Sequence, residues 1–145
     1  MRGPSTPALE LVRLYTDGGA RGNPGPAAIG VVLCDDRDRA LLERKEYIGK
    51  ATNNEAEYRA IIAGLDLAAH ATHKEVRAYS DSELVVRQLT GAYRLRSGKL
   101  LPLYKRAKEK EKIFRKVSYE HLPRLTGWLR RADKLVNEAL DESGH

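Results

Sequence analysis

The sequence predicts an α/β fold in which a five-stranded mixed sheet carries helices packed on its faces. First, three short segments rich in apolar and β-branched residues follow one another between turns in the first third of the chain. Second, segments with helical apolar spacing follow them, interspersed with two further strand-like segments. Third, a chain of 145 residues is long enough for one packed core but not for two. The predicted element order is βββαβααβα.

The predicted strands of the first third lie at residues 11–16, 27–34 and about 40–48. A glycine-rich stretch follows Asp17, and the turn DDRD at residues 35–38 separates the second strand from the third. Short turns between consecutive strands favour an antiparallel meander. Residues 1–9, with two prolines, predict a flexible N-terminal tail, so the single domain is expected to cover residues 10–142.

The helical part of the pattern begins after the third strand. Thr52-Asn-Asn-Glu55 has the spacing of a capping box, and apolar residues follow it at helical intervals. Ser80-Asp-Ser-Glu83 has the same spacing and predicts a short helix that ends near Gly91. The other predicted elements are a strand at residues 75–80, a basic helix at about 100–113, a strand at 117–122 and a helix at about 128–140.

Charge is unevenly distributed along the chain. The net charge is +6, yet residues 87–116 alone hold eleven Lys or Arg and two Glu, a local charge of +9. A basic segment on a mildly acidic body indicates a polyanionic partner such as nucleic acid. The alternative is a basic helix face that serves only solubility.

Several classes of protein are excluded or disfavoured. No apolar run approaches the length of a transmembrane helix, and the first ten residues lack the apolar segment of a secretion signal. Cys34 is the single cysteine, so no intrachain disulfide can form. A cytoplasmic protein without a membrane partner is expected.

Two acidic residues occupy apolar helix stripes. Glu57 shares its helical spacing with Ile61 and Leu65, and Asp133 shares its own with Val136. A charge facing a core costs several kcal/mol unless it is paired or bound to a metal. Alternatively, each carboxylate lies at the edge of the core and reaches water or a nearby arginine.

Two further acids, Asp17 and Asp81, close the first and fourth predicted strands. Asp81 could cap the following helix, and Asp17 could begin an Asp-Gly turn. If the two strands are neighbours and both helices cross that edge, all four carboxylates meet and require cations between them. A site of hard oxygen ligands without His or Cys suits Mg²⁺ or Mn²⁺ rather than zinc.

Four segments of the chain, in order, resemble the motifs of the type 1 ribonuclease H family. The first, Tyr15-Thr-Asp-Gly-Gly-Ala-Arg-Gly-Asn-Pro-Gly-Pro26, is the most specific of them. The others are Thr52-Asn-Asn-Glu-Ala-Glu57, Ser80-Asp-Ser82 and Arg131-Ala-Asp-Lys-Leu-Val-Asn-Glu-Ala139.

The resemblance implies the ribonuclease H-like fold and endonucleolytic hydrolysis of the RNA strand of RNA–DNA hybrids, which leaves a 3′-hydroxyl and a 5′-phosphate. By position, the metal-binding acids are Asp17, Glu57, Asp81 and Asp133. They would hold two Mg²⁺ about 4 Å apart, with Mn²⁺ able to substitute. The hybrid is then the expected partner of a monomer that needs no other protein.

The same resemblance implies a set of substrate contacts. The asparagines would read the minor groove, the glycines would allow close approach of the RNA, and Thr52 would meet a phosphate of the DNA strand. Helix capping is the alternative for Thr52, Asn53 and Ser82, and a turn is the alternative for Asn23. The predicted contact residues are Gly18, Gly19, Asn23, Thr52, Asn53, Asn54, Ser82 and Arg124.

The chain departs from well-known bacterial members in two ways. Those members carry a loop histidine before the last acid, whereas here His121 and Arg124 are the alternatives, twelve and nine residues before Asp133. The segment between Gly91 and Val117 is also too short for the Trp-rich basic protrusion of many members. The cations expected to replace it at the DNA strand are Arg94, Arg96, Lys99, Lys105 and Arg106.

Three rival interpretations remain open. The chain could be a hybrid-binding module without activity, or a nuclease of the same fold with another substrate. It could also be a domain of a larger protein, although its two ends favour a free-standing one.

Overall fold

The computed structural model describes residues 9–145, which form one five-stranded sheet and four helices. The strands are β1 (Leu11–Ala20), β2 (Gly25–Cys34), β3 (Ala40–Ala51), β4 (Glu75–Ser80) and β5 (Lys116–His121). The helices are α1 (Asn53–Ala68), α2 (Glu83–Leu89), α3 (Leu101–Glu111) and α4 (Trp128–Glu142). The predicted order βββαβααβα is therefore confirmed.

The sheet has the strand order β3-β2-β1-β4-β5. Strands β1, β2 and β3 pair antiparallel, which confirms the predicted meander, whereas β4 pairs parallel to β1 and β5 parallel to β4. The parallel register between β1 and β4 runs as far as Tyr15 opposite Tyr79. Beyond these two residues β1 and β4 are no longer paired with each other, while Asp17 remains paired with Gly30 of β2. Asp17 and Asp81 therefore lie close to each other at the same edge of the sheet.

Helices cover both faces of the sheet. The larger core lies between α1 and the strands β1, β2 and β4, and smaller clusters lie between α4 and the opposite face. Two glycines allow this close approach. A Cβ on Gly64 would lie 2.8 Å from a methyl carbon of Leu14, and a Cβ on Gly30 would lie 2.2 Å from the carbonyl oxygen of Ala132.

The helix starts show one confirmed and one wrong prediction. Thr52 and Glu55 form the complete capping box of α1. The predicted capping box at residues 80–83 is wrong, because Ser80 still belongs to β4 and its hydroxyl accepts the amide of Ser82 at 3.0 Å. Ser82 is the N-cap of α2 and its hydroxyl accepts the Val85 amide at 3.4 Å.

The predicted tail at residues 1–9 lies, except for Leu9, outside the described residues. Leu9 itself is held by the turn between α1 and β4. Its amide donates to the Ala71 carbonyl at 3.3 Å, and its carbonyl accepts the hydroxyl of Thr72. None of the helices within residues 9–145 combines the length and apolar composition that crossing a membrane requires.

Candidate active site

Three of the four predicted acids form one carboxylate cluster at the edge of the sheet. Asp17 comes from β1, Glu57 from the second turn of α1, and Asp81 from the residue after β4. Carboxylate oxygens of these three residues, one from each, all lie within 4.8 Å of one another. Asp17 is 8% exposed and Glu57 is 7% exposed, so two of the three charges are largely removed from water.

The crowding of buried carboxylates raises their affinity for protons. Burial, followed by the charge of Asp81, raises the pKa of Asp17 to about 7. Burial and the charge of Asp17 raise the pKa of Glu57 well above its usual value. The pKa of Asp81 is also raised, chiefly by burial. Within residues 9–145 none of the three forms a salt bridge with Lys or Arg.

This donor set fits a divalent cation. The cluster offers only hard carboxylate oxygens, which Mg²⁺ and Mn²⁺ prefer. Arg124, a positive charge on the cleft wall, lowers the pKa of Asp81 but forms no salt bridge with any of the three acids. A cation between them would offset both the loss of hydration and the mutual repulsion that raise the pKa of Asp17.

The fourth acid, Asp133, lies on the wall of the same cleft rather than inside the three-residue cluster. Its side chain is 25% exposed, and its Oδ1 lies 3.5 Å from Nη2 of Arg124. Arg124 is 72% exposed and the contact is long, so the arginine leaves room beside Asp133. Asn137, one helical turn further along α4, donates to the Asp133 carbonyl at 3.1 Å.

The predicted asparagines form a ladder beside the cleft. The Ala20 amide donates to Oδ1 of Asn53 at 2.8 Å, and the Asn53 amide donates to Oδ1 of Asn23 at 3.0 Å. Both side-chain oxygens are therefore used within the protein. The NH₂ groups remain as donors for acceptors such as base edges and ribose oxygens.

The predicted contact residues lie on two neighbouring surfaces, apart from Ser82. The cleft with the carboxylates is lined by Gly18, Gly19, Asn53 and Arg124, among others. A neighbouring groove, here called the cationic groove, is lined by Asn23, Thr52, Asn54, Glu55, Leu84, Gln88, Arg94, Arg96, Ser97, Lys99 and Leu100. Ser82 lies on neither surface and caps α2, which was its alternative role.

Gly18 has a structural reason that the sequence pattern did not reveal. A Cβ at this position would lie 2.2 Å from the carbonyl oxygen of Ala56 in α1. Glycine is therefore required for α1 to pack on β1 and to bring Glu57 to Asp17, whatever the approach of a substrate.

The two loop alternatives differ in position. His121 is exposed at the end of β5, opposite Ser80, and does not line the cleft. Arg124 does line it. Both residues lower the pKa of Asp81, and Arg124 has the larger effect. Of the two alternatives, the geometry therefore favours Arg124 as the basic side chain at the cleft.

The structure places the cations expected to replace the protrusion on more than one surface. Arg94, Arg96 and Lys99 line the cationic groove. Lys105 and Arg106 do not, because α3 directs Arg106 toward a separate pocket near Arg59. Sequence reasoning also missed Asn137 in the cleft and Gln88 in the groove. Asn137 could have been found, since it lies four residues after Asp133 and shares its helix face.

A mixed sheet with buried carboxylates at the edge shared by β1 and β4 defines a protein of the ribonuclease H-like class. A family model described as reverse transcriptase-like matches residues 15–139. A bifunctional protein of Mycobacterium tuberculosis is 45% identical over 131 residues, which cover 90% of this chain and 35% of that protein. The chain thus spans about a third of the length of the mycobacterial relatives that it matches.

Solved structures agree with this class. RNase H1 from the halophilic archaeon Halobacterium salinarum superposes with a TM-score of 0.87 at 45% identity, covering 91% of this chain and 98% of that one. LC11-RNase H1, solved in complex with an RNA/DNA hybrid, gives a TM-score of 0.86 at 41% identity and covers 92% and 99%. The chain belongs to the type 1 ribonuclease H family.

Proposed function

We propose that this chain is an endonuclease that hydrolyses the RNA strand of RNA–DNA hybrids with two Mg²⁺ and leaves 3′-hydroxyl and 5′-phosphate ends. The observation that carries the proposal is the cluster of Asp17, Glu57 and Asp81, whose oxygens lie within 4.8 Å of one another. The solved complex of LC11-RNase H1 with an RNA/DNA hybrid supports the choice of substrate.

The four acids have distinct positions in the proposed reaction. Asp17 is central, because it lies in the cluster with Glu57 and Asp81 and its pKa is raised by the charges of Asp81 and Asp133, and it would be the central ligand of the ions. Glu57, Asp81 and Asp133 would supply the other protein ligands of the Mg²⁺ ions. Bound Mg²⁺ would lower the pKa of a water and stabilise the charge that develops at phosphorus and on the leaving 3′-oxygen.

Other side chains would hold the substrate. Arg124, on the cleft wall, would bind a phosphate oxygen beside the scissile bond. The amide donors of Asn23, Asn53 and Asn54 would read base edges and ribose 2′-hydroxyls, which distinguish RNA from DNA. Backbone approach at Gly19 would bring the RNA strand onto the carboxylates.

The DNA strand would lie in the cationic groove. Arg94, Arg96 and Lys99 line this groove, and none of them has an ion-pair partner among residues 9–145. Thr52 lines the same groove at the start of α1. Unpaired cations beside a helix start favour phosphate groups.

We propose a monomeric cytoplasmic protein whose domain covers residues 10–142, with Mg²⁺ as the metal and Mn²⁺ as a substitute. No obligate protein partner is required.

A substrate panel tests the proposed function. Purified protein is given a uniform RNA–DNA hybrid, an RNA duplex, a DNA duplex and a DNA duplex with one ribonucleotide, each with Mg²⁺, Mn²⁺ or chelator. We expect efficient cleavage of the hybrid, at most weak cleavage at the single ribonucleotide, and no cleavage with chelator or in Asp17→Asn. Folded protein that binds the hybrid without cutting it would show a binding module instead.

A further inference from the structure

Gln88 combines deep burial with a position on the cationic groove. It lies on α2 and is 5% exposed, yet it lines the groove together with Arg94 and Arg96. Its Oε1 accepts a 2.7 Å hydrogen bond from the hydroxyl of Tyr58. Its Nε2 donates no hydrogen bond to any part of the chain that the structure describes. Within residues 9–145 the hydroxyl of Thr16 is the one fully buried side-chain polar atom without a hydrogen bond. Nε2 of Gln88 is therefore not sealed in the core but reaches the groove surface, where a ligand can accept its hydrogen bond.

Tyr58 determines which end of the amide faces the groove. It is fully buried on α1, next to Glu57. Since the tyrosine hydroxyl donates to Oε1, the NH₂ group is the end of Gln88 left for a ligand. The amide is thereby oriented before any ligand arrives, which lowers the entropic cost of binding.

The other groups of the groove indicate the chemistry of that ligand. Arg94, Arg96 and Lys99 are donors only, and the N-terminus of the 16-residue helix α1 opens on the same groove through Thr52. Glu55 is the one acid among the lining residues, and its carboxylate accepts the Thr52 amide at 2.9 Å. A ligand here must accept hydrogen bonds and carry negative charge, as a phosphate does.

We propose that Nε2 of Gln88 donates to a phosphate oxygen of the uncleaved DNA strand, and that Tyr58 is the positioning residue that holds the amide for this contact. The inference rests on the proposed function. Asn53 lines the carboxylate cleft and Asn54 lines the groove, so the start of α1 separates the two surfaces. A strand bound in the groove would lie on the other side of this helix start from a strand bound at the carboxylates.

The test measures binding without cleavage, in the Asp17→Asn background. Hybrids carry a single neutral methylphosphonate at successive positions of the DNA strand, and each is titrated against protein with Gln88, with Gln88→Glu and with Gln88→Leu. Glutamate keeps an acceptor for Tyr58 but has no donor, whereas leucine removes both. Thermal unfolding of each variant shows that it is folded.

One methylphosphonate position should weaken binding by about tenfold when Gln88 is present, the reduction expected for removing a hydrogen bond to a charged group. Both substitutions should weaken binding of the unmodified hybrid. In both variants, the loss of affinity that the methylphosphonate causes at that position should be smaller by about threefold or more. The reason is that the methylphosphonate and the substitution of Gln88 remove the same contact. In Tyr58→Phe, the loss of affinity that the methylphosphonate causes at the same position should also decrease, but by less than in the Gln88 variants.

If the methylphosphonate causes the same loss of affinity at every position in all three proteins, the proposed role of Gln88 is overturned, even if the variants are less stable. A penalty that shrinks only for modifications outside the DNA strand would also overturn it. These outcomes are separate from the proposed function, since the parent protein can cleave hybrid normally whichever profile is found.

Discussion

Glu57 and Asp133 show how far helical spacing locates a functional side chain. The spacing predicted that both acids share an apolar stripe, and Glu57 is indeed 7% exposed. Asp133 is different, because its side chain is 25% exposed and meets Arg124, as the alternative of an acid at the core edge near an arginine anticipated. Spacing could not decide between the two, since depth depends on how closely each helix approaches the sheet.

Asp17 makes the metal-free protein sensitive to pH. Its pKa is about 7 in the folded protein and near 3.8 when unperturbed, so between these values the folded state binds more protons than the unfolded state. Without divalent cations, the free energy of unfolding should therefore fall as pH rises from about 4 to 7. Asp17→Asn should make this decline shallower without abolishing it, because Glu57 and Asp81 also have raised pKa values, and should stabilise the protein at pH 8 by on the order of 2 kcal/mol.

Thermal unfolding in chelator at several pH values measures this effect. Asp36→Asn, at an exposed turn position, is the matched control and should leave the pH profile as in the parent. Adding Mg²⁺ at pH 8 should stabilise the parent more than Asp17→Asn. If Asp17→Asn is instead less stable than the parent in chelator at pH 8, the carboxylates do not repel one another as described.

At the scale of elements, the sequence pattern located helices and strands well and their ends less well. Two serines could begin α2, and the capping-box spacing favoured Ser80. The structure uses Ser82 because pairing of β4 with β5 continues through Ser80. Likewise, the basic character of residues 87–116 was visible in the sequence, whereas its division between a groove and a separate helix face depends on the packing of α3.

The loop between α2 and α3 supplies the three cations that line the groove. Replacing Arg94, Arg96 and Lys99 together by alanine should weaken hybrid binding, because these cations would neutralise phosphates. The slope of log affinity against log salt should become shallower by about 0.9 for each phosphate that is no longer neutralised. Titrations at several salt concentrations in the Asp17→Asn background measure both quantities.

The control changes the same amount of charge outside the groove, by replacing Lys105, Arg106 and Lys112 of the α3 region with alanine. It should change affinity and salt slope less than the groove variant does. Equal effects of the two triple variants would mean that overall charge, and not the groove, attracts the hybrid.

At the scale of the whole molecule, the order of elements was predictable and the assembly of the site was only partly so. The meander followed from short turns, but the pairing of β4 beside β1 could only be assumed from the sequence, and it is what brings Asp81 to Asp17. The family motifs supplied this assembly by resemblance. The packing through Gly18, Gly30 and Gly64 could not be inferred, because it depends on contacts between residues far apart in sequence.

The central claim is that Asp17, Glu57 and Asp81, brought together from β1, α1 and the end of β4, hold the divalent cations that cleave the hybrid. The most direct measurement is anomalous diffraction from crystals of the Asp133→Asn variant grown with hybrid and Mn²⁺. We predict manganese peaks within coordination distance of Asp17, Glu57 and Asp81, next to a phosphate of the RNA strand. A hybrid bound with its RNA strand away from these acids, or manganese absent from them, would contradict the claim.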